Sequence, residues 1–279
     1  MLNVPALSLV LPCYREAEHI DSSVPRILRV LADLRYTVEI IFVDDCSPDD
    51  TAHRLERLVA AYPEWSLTIL RHSRNLGRGA AVSTGFRAAR GQWVGYIDVD
   101  LEVAPDYIDA CCRVLAEGAD VCIGARYYPF TFGSFIRFVA STGYRKLAWR
   151  ILGLPEIDSE SGYKFFRRDS VLPLLEQVLS TGWFWDTEIV AESYLAGLLV
   201  AQTPCLHLRR LDKTSTVKLT RDTWRFLVQL VRYRARLAAR GAIPARISPP
   251  ARLFPSLAPV ALPGPVSERD LISSAGRTV

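Results

Sequence analysis

The chain has 279 residues, 49% hydrophobic and 23% charged, enough to bury a substantial core; this excludes wholesale disorder and points to one large globular domain or two small ones. With 34 Lys and Arg against 30 Asp and Glu, the formal charge of +4 is too mild on its own to argue for nucleic acid, although the positive charge gathers toward the C-terminal side. Six cysteines at positions 13, 46, 111, 112, 122 and 205 have neither Cys-x-x-Cys nor paired Cys/His spacing, so they indicate neither a zinc site nor a disulfide framework and read as thiols in a reducing cytosol.

Short β-rich apolar runs come first in chain order. Leu7 to Leu11, Val38 to Val43, Leu67 to Leu70, Trp93 to Ile97 and Val121 to Ile123 are the expected strands. Helical patterns over 22–34, 51–62, 79–89 and 105–116 alternate with them, each long enough to bridge parallel strands. Such alternation predicts an α/β fold with a sheet covered on both faces, whose functional groups collect at the carboxyl edge. Beyond about residue 125 the alternation breaks down into apolar-aromatic helical patterns over 134–152 and 216–240. From Gly241 onward, prolines at 244, 249, 250, 255, 259, 263 and 265 prevent regular structure, so 241–279 reads as a flexible tail. The N-terminus shows no basic leader with an apolar core, and no apolar run approaches the ~18 to 20 residues of a membrane span. The expected location is cytoplasmic, in solution or peripheral on the cytoplasmic face of a membrane.

Three predicted strand ends carry polar clusters instead of ordinary turns. They are Pro12-Cys13-Tyr14-Arg15-Glu16, Asp44-Asp45-Cys46-Ser47 through Thr51, and Asp98-Val99-Asp100. Side chains two apart on an extended segment share a face, so Asp98, Asp100 and Glu102 are expected to converge as oxygen ligands for Mg²⁺ or Mn²⁺. Before the third predicted helix, Arg74-Asn75-Leu76-Gly77-Arg78-Gly79 combines glycines with positive charge, a pattern suited to a diphosphate.

Taken in order, these three clusters resemble the family-2 glycosyltransferases of GT-A fold, and within them the polyprenyl-phosphate (dolichol-phosphate-type) sugar transferases. The resemblance covers about residues 6–235. It implies a Rossmann-like, mostly parallel sheet flanked by helices, with a C-terminal acceptor-side helical segment. A GT-A domain would then span 1–240, with a nucleotide-sugar half to about residue 126 and an acceptor half over 127–240. By the same resemblance Pro12, Tyr14 and Glu16 line the nucleotide pocket and Asp44 and Asp45 meet the base. Arg78 and Arg126 reach phosphate, and Asp98 with Asp100 holds the cation that bridges the donor diphosphate. The segment from Asp158 through Lys164 to Arg167 borders the acceptor, and Trp183 to Glu188 leads a helix near the reaction centre, which makes Asp186 and Glu188 candidate catalytic groups. Arg210 and Ser215 match a later basic motif, whereas Lys213 and Thr216 stand where relatives carry Gly and Lys.

The resemblance implies an inverting, metal-dependent hexosyltransferase moving a sugar from a UDP- or GDP-linked donor to a polyprenyl phosphate. The alternatives are a family-2 transferase using a saccharide or other hydroxyl, and a non-catalytic nucleotide-sugar-binding protein. Trp224, Leu227, Val228 and Val231 with flanking arginines also fit a helix lying on a membrane surface, or equally one packed on the core with a solvated basic face. A multi-span membrane protein is a further expected partner.

Overall fold

The computed structural model describes residues 4–127, 143, 146–148, 150–153, 155, 157–208 and 219–242. The expected tail beyond residue 242, most of the 134–152 helix and Arg210 lie outside the described residues.

In chain order the first half contains β1 (Leu7–Cys13), α1 (Ala17–Ala32), β2 (Val38–Asp44), α2 (Thr51–Ala61), β3 (Ser66–Arg71), α3 (Arg78–Ala88), β4 (Trp93–Ile97), α4 (Ile108–Ala116) and β5 (Val121–Tyr127). The second half adds β6 (Tyr163–Arg167), α5 (Trp185–Leu195), β7 (Val200–Leu206) and α6 (Leu219–Ala239). The seven strands form one sheet in the order β3-β2-β1-β4-β6-β5-β7. β1 to β4 pair in parallel, β6 runs antiparallel between β4 and β5, and β7 is parallel to β5.

The period-2 alternation of side chains divides the core into two layers. Leu9, Phe42 and Phe165 face one side, where Ile20 and Ile27 of α1, Leu55 of α2 and Val114 of α4 cover them. Val10, Tyr96 and Phe166 face the other, under Val82 and Phe86 of α3, Trp185 and Ile189 of α5, and Leu230 and Tyr233 of α6. One buried polar cluster is satisfied across neighbouring strands. Ser8 Oγ donates to Glu39 Oε1 at 2.6 Å, and the Arg90 guanidinium closes on Glu39 Oε2 at 2.6 and 2.9 Å.

All five strands expected from the sequence are present, within a longer span in four of them. α1 begins five residues before its expected start at 22. Arg15 adopts φ +59°, the Glu16 amide donates to Thr51 Oγ1 at 2.9 Å, and the amides of His19 and Ile20 then close on the Glu16 carbonyl. β6, β7 and α5 were not among the elements expected from periodicity. Every residue of α5 from Trp185 to Tyr194 is buried, so no polar face exists to mark a helical period.

Candidate active site

β4 ends at Ile97, and the acids that follow it stand on a turn in which the Leu101 amide bonds the Asp98 carbonyl and Leu101 takes φ +53°. The extended spacing that would align three carboxylates therefore stops before the first of them. Glu102 turns to His207, its Oε2 3.2 Å from Nε2, while the Leu208 amide holds its carbonyl. The expected convergence of Asp98, Asp100 and Glu102 is thus corrected: among the described residues no three His, Cys, Asp or Glu side chains gather as a metal cage. Asp98 and Asp100 remain neighbours on the turn, and the Glu102 amide contacts Asp100 Oδ1 at 3.4 Å.

From Asp98 a chain of alternating charge runs inward. Arg78, at the first turn of α3, donates from Nε to Asp98 Oδ1 at 2.8 Å, and its Nη2 approaches the same oxygen at 2.7 Å without the alignment of a hydrogen bond. Its Nη1 donates to Asp186 Oδ2 at 2.6 Å. Asp186 Oδ1 receives Lys164 Nζ at 2.7 Å and the Tyr96 hydroxyl, and Lys164 also donates to Tyr96 at 3.0 Å and to the Ser161 carbonyl. The Arg78 guanidinium lies between the rings of Trp183, 4.7 Å away, and Tyr96, 5.1 Å away. Side-chain exposure falls along this chain from 36% at Asp98 to 1% at Asp186 and 0% at Lys164, so only the Asp98 end meets solvent.

The environment sets the charge states. Burial works against the Arg78 cation, but Asp98 and Asp186 outweigh it and hold its pKa well above the ordinary value. Burial raises the Asp98 carboxyl, with Arg78 opposing and Asp100 reinforcing. Burial also lowers Lys164, partly offset by Asp186. Close approach is possible because Gly162 has no side chain; a Cβ there would collide with Asp98 Oδ2 and Arg78 Nη2. Gly77, at φ +102°, similarly lies against the Thr181 carbonyl.

Two amides of the loop before α3 are already held by a carboxylate. Asp45, buried at the end of β2, accepts from the Leu76 amide on Oδ1 and from the Gly77 amide on Oδ2, both at 2.8 Å, and His72 Nδ1 lies 2.7 Å from Oδ1. The Ala80 amide goes to the Thr181 carbonyl. Asp45 therefore holds the loop that carries Arg78. Asp44 Oδ1 caps the Ser47 amide at 3.1 Å. Pro12 lies in β1 opposite Val43, Tyr14 is 41% exposed beneath Arg15, and Glu16 stands at the start of α1, so these three occupy one sheet edge with Asp44 and Asp45.

Arg126 is drawn into a two-pronged pair with Asp158, at 2.8 and 2.9 Å, and its side chain is 17% exposed. Glu188 meets a different set of partners from Asp186. Two positions along a helix rotate about 200°, so its carboxylate accepts from the Leu179 and Ser180 amides, from Ser180 Oγ, each at 2.9 Å, and from Arg236 of α6. A cleft of about 300 Å³ adjoins Glu188, lined by Leu179, Ser180, Gln229, Arg232 and Arg236.

Reading the sequence alone missed Tyr96, Asp158 as the partner of Arg126, and Lys164 as a wholly buried link instead of a residue bordering open acceptor space. A lysine inside the apolar strand Tyr163-Lys164-Phe165-Phe166 was the available signal, since a charge there needs a buried partner.

α6 packs through Leu230, Tyr233 and Leu237, whereas Val231 is 60% exposed and Leu227 and Val228 are half-buried. Among the described residues no helix is long and apolar enough to cross a membrane.

The parallel sheet broken by one antiparallel strand, with acids and arginine at the end of β4, defines a GT-A fold. The chain belongs to glycosyltransferase family 2, whose model, described as "Glycosyl transferase family 2", matches residues 8–174. Glycosyltransferase AglD of Haloferax volcanii is 30% identical over 264 residues, covering 92% of this chain and 41% of that protein. Dolichol-phosphate mannosyltransferase of Pyrococcus furiosus is 34% identical over 121 residues, 43% of this chain and 33% of that one. The chain thus spans less than half the length of these curated relatives. Among solved structures, the mannosyltransferase PcManGT from Pyrobaculum calidifontis, in complex with GDP-Man and Mn²⁺, has TM-score 0.55 at 20% identity, covering 86% of this chain and 65% of that one. Glucosyl-3-phosphoglycerate synthase from Mycobacterium tuberculosis, in complex with Mn²⁺, UDP-Glc and phosphoglyceric acid, has TM-score 0.61 at 20% identity, covering 83% and 80%. These two share the fold.

Proposed function

We propose that this chain transfers a sugar from a nucleotide diphosphate donor to a polyprenyl phosphate, with inversion at the anomeric carbon. The observation that carries the acceptor class is that Asp186 and Glu188 are already engaged by donors within the protein. Both are buried, and every carboxylate oxygen on them already accepts at least one hydrogen bond. A sugar hydroxyl needs a carboxylate free to take its proton within hydrogen-bond reach. A phosphate monoester does not, because its second pKa of about 6 leaves the attacking oxygen negative near neutral pH.

The donor is bound at the carboxyl edge, between the β1 and β2 ends carrying Tyr14, Glu16 and Asp44 and the turn carrying Asp98 and Asp100. The hard oxygen donors of Asp98 and Asp100 suit Mg²⁺ or Mn²⁺, which such sites hold through one or two carboxylates plus substrate phosphates. When bound, the cation supplies charge neutralisation for the departing diphosphate. Arg78 fixes the Asp98 carboxylate and adds a permanent positive charge beside it. Mn²⁺ in the related folds supports this reading.

Contact with a membrane surface is part of the proposal, because the acceptor resides there. Exposed Val231 beside exposed Arg232 and Arg234 on α6 is the feature that supports it. Salt-sensitive co-sedimentation with anionic liposomes is expected, and none at low salt would remove this part.

The decisive test pairs each of UDP- and GDP-sugars with a polyprenyl phosphate and, separately, with oligosaccharide acceptors in the presence of Mn²⁺. Transfer to the lipid phosphate is expected. Transfer to saccharides alone would overturn the acceptor class, and binding of donor with neither transfer nor hydrolysis would favour a non-catalytic protein.

A further inference from the structure

We propose that Lys164 is a positioning residue for Asp98, acting through Asp186 and Arg78. This rests on the proposed function, in that Asp98 and Asp100 are taken to face the cation and the donor diphosphate.

The argument starts from how the oxygens of Asp186 are shared. Lys164 Nζ, at 2.7 Å, and the Tyr96 hydroxyl both occupy Oδ1, so Asp186 offers Arg78 only Oδ2. A guanidinium facing a carboxylate with both oxygens open closes on it with two parallel bonds. With Oδ1 occupied, Arg78 makes a single bond to Asp186 and keeps Nε and Nη2 on Asp98 Oδ1, at 2.8 and 2.7 Å. Lys164 therefore divides Arg78 between two acids. The charges balance as well: Asp98 and Asp186 are met by Arg78 and Lys164, one cation for each anion along a continuous chain.

Lys164 does this from a fixed place. It is fully buried on β6, its neighbours Phe165 and Phe166 fill the two faces of the sheet, and the Ser161 carbonyl and Tyr96 hydroxyl take its remaining bonds. Removing its ammonium leaves only the Tyr96 hydroxyl on Asp186 Oδ1 and opens that oxygen to a second donor. Arg78 then turns onto Asp186 with both prongs and leaves Asp98 Oδ1 unheld, so the outer carboxylate loses its orientation while the residues that meet solvent stay unchanged. Outer partners of metal-facing groups govern affinity in this way, typically by 10- to 100-fold.

The test measures Mn²⁺ binding by the loss of the free-ion electron paramagnetic resonance signal, with UDP and separately with GDP as probes. Wild type, Lys164→Met, Lys164→Gln, Tyr96→Phe and Asp100→Asn are compared well below their melting temperatures, with circular dichroism and Tm recorded for each. Lys164→Met is expected to bind Mn²⁺ about 10- to 100-fold more weakly, approaching Asp100→Asn, and Tyr96→Phe about threefold more weakly. Affinities of both variants within about twofold of wild type, alongside a lowered Tm, would assign Lys164 a purely structural role and overturn the inference. If Lys164→Met does not fold, Lys164→Gln decides, since it removes the ammonium from Asp186 Oδ1 and keeps a polar side chain for the Ser161 carbonyl: weaker Mn²⁺ binding supports the inference and unchanged binding overturns it. Wild type binding neither nucleotide in a Mn²⁺-dependent way would instead bring down the proposed function, an outcome distinct from the variants matching wild type.

Discussion

Two charged networks flank α5, and they differ in where they lead. On one side Asp186 joins Arg78, Lys164 and Tyr96 in a chain that surfaces at Asp98. On the other, Glu188 and Glu192 receive Arg236 of α6 and Arg240 just past its end, whose side chains are 37% and 34% exposed. The first network is buried from Arg78 inward and opens at a single carboxylate on the sheet edge. The second joins a loop and a helix, and ends in solvent. Two acids two positions apart thus serve different purposes because a helix turns them to different neighbours.

Replacing residues from each network separates the two roles. The largest effect is expected outside both, at Asp100→Asn, where kcat/KM should fall about 10²- to 10³-fold with Tm unchanged, as measured by donor turnover with Mn²⁺ and by calorimetry. Asp186→Asn should lower both readouts: breaking a buried pair costs about 3–5 kcal/mol of stability, and the loss of Arg78 alignment should cut kcat/KM by about 10- to 100-fold. Glu188→Gln should cost about 1–3 kcal/mol in denaturant unfolding, from weakened bonds to the 179–180 amides, while kcat stays near wild type. Turnover as poor as that of Asp100→Asn would make Glu188 the proton acceptor and erase the contrast. Arg240→Ala should change stability by only about 0–1 kcal/mol, since its pair with Glu192 is partly solvated.

A pH series sharpens the comparison from a site remote from both networks. Burial raises the Glu39 carboxyl, but bonds from Ser8 and Arg90 outweigh it and leave its pKa below the ordinary value. Its stabilisation is therefore present above the unfolded-state pKa, about 4.3, and is lost as pH falls through the lower folded-state value. Glu39→Gln should flatten the unfolding free energy below about pH 4.3 and leave turnover at neutral pH unchanged.

The sheet of the first half was legible because its strands are apolar runs closed by polar clusters, and those clusters mark the true edge: Tyr14, Asp44 and Asp98 all follow or end strands there. The orientation of the third acid was not legible. Period-2 reasoning holds only while the chain is extended; β4 ends at Ile97, before Asp98, and Leu101 at positive φ turns the chain further. α5 was hidden from periodicity by burial on every side, and β6 by an internal lysine that reads as a surface residue until Asp186 is placed beside it. Asp45 was placed at the correct edge by its motif, yet its hydrogen bonds to Leu76 and Gly77 depend on a loop 31 residues away, a separation no local pattern encodes.

The antiparallel insertion of β6 also sets when the centre can come into being during synthesis. Arg78 meets Asp186 across 108 residues of sequence, and Tyr96 meets Lys164 across 68. A nascent chain released from the ribosome only as far as β5 carries Arg78 and Asp98 without the groups that hold them in register. Contacts so distant form late, because loop closure must come before they contribute. The network is therefore complete only once β6 and α5 have been made, and a half-made polypeptide lacks the groups that order the Asp98 turn.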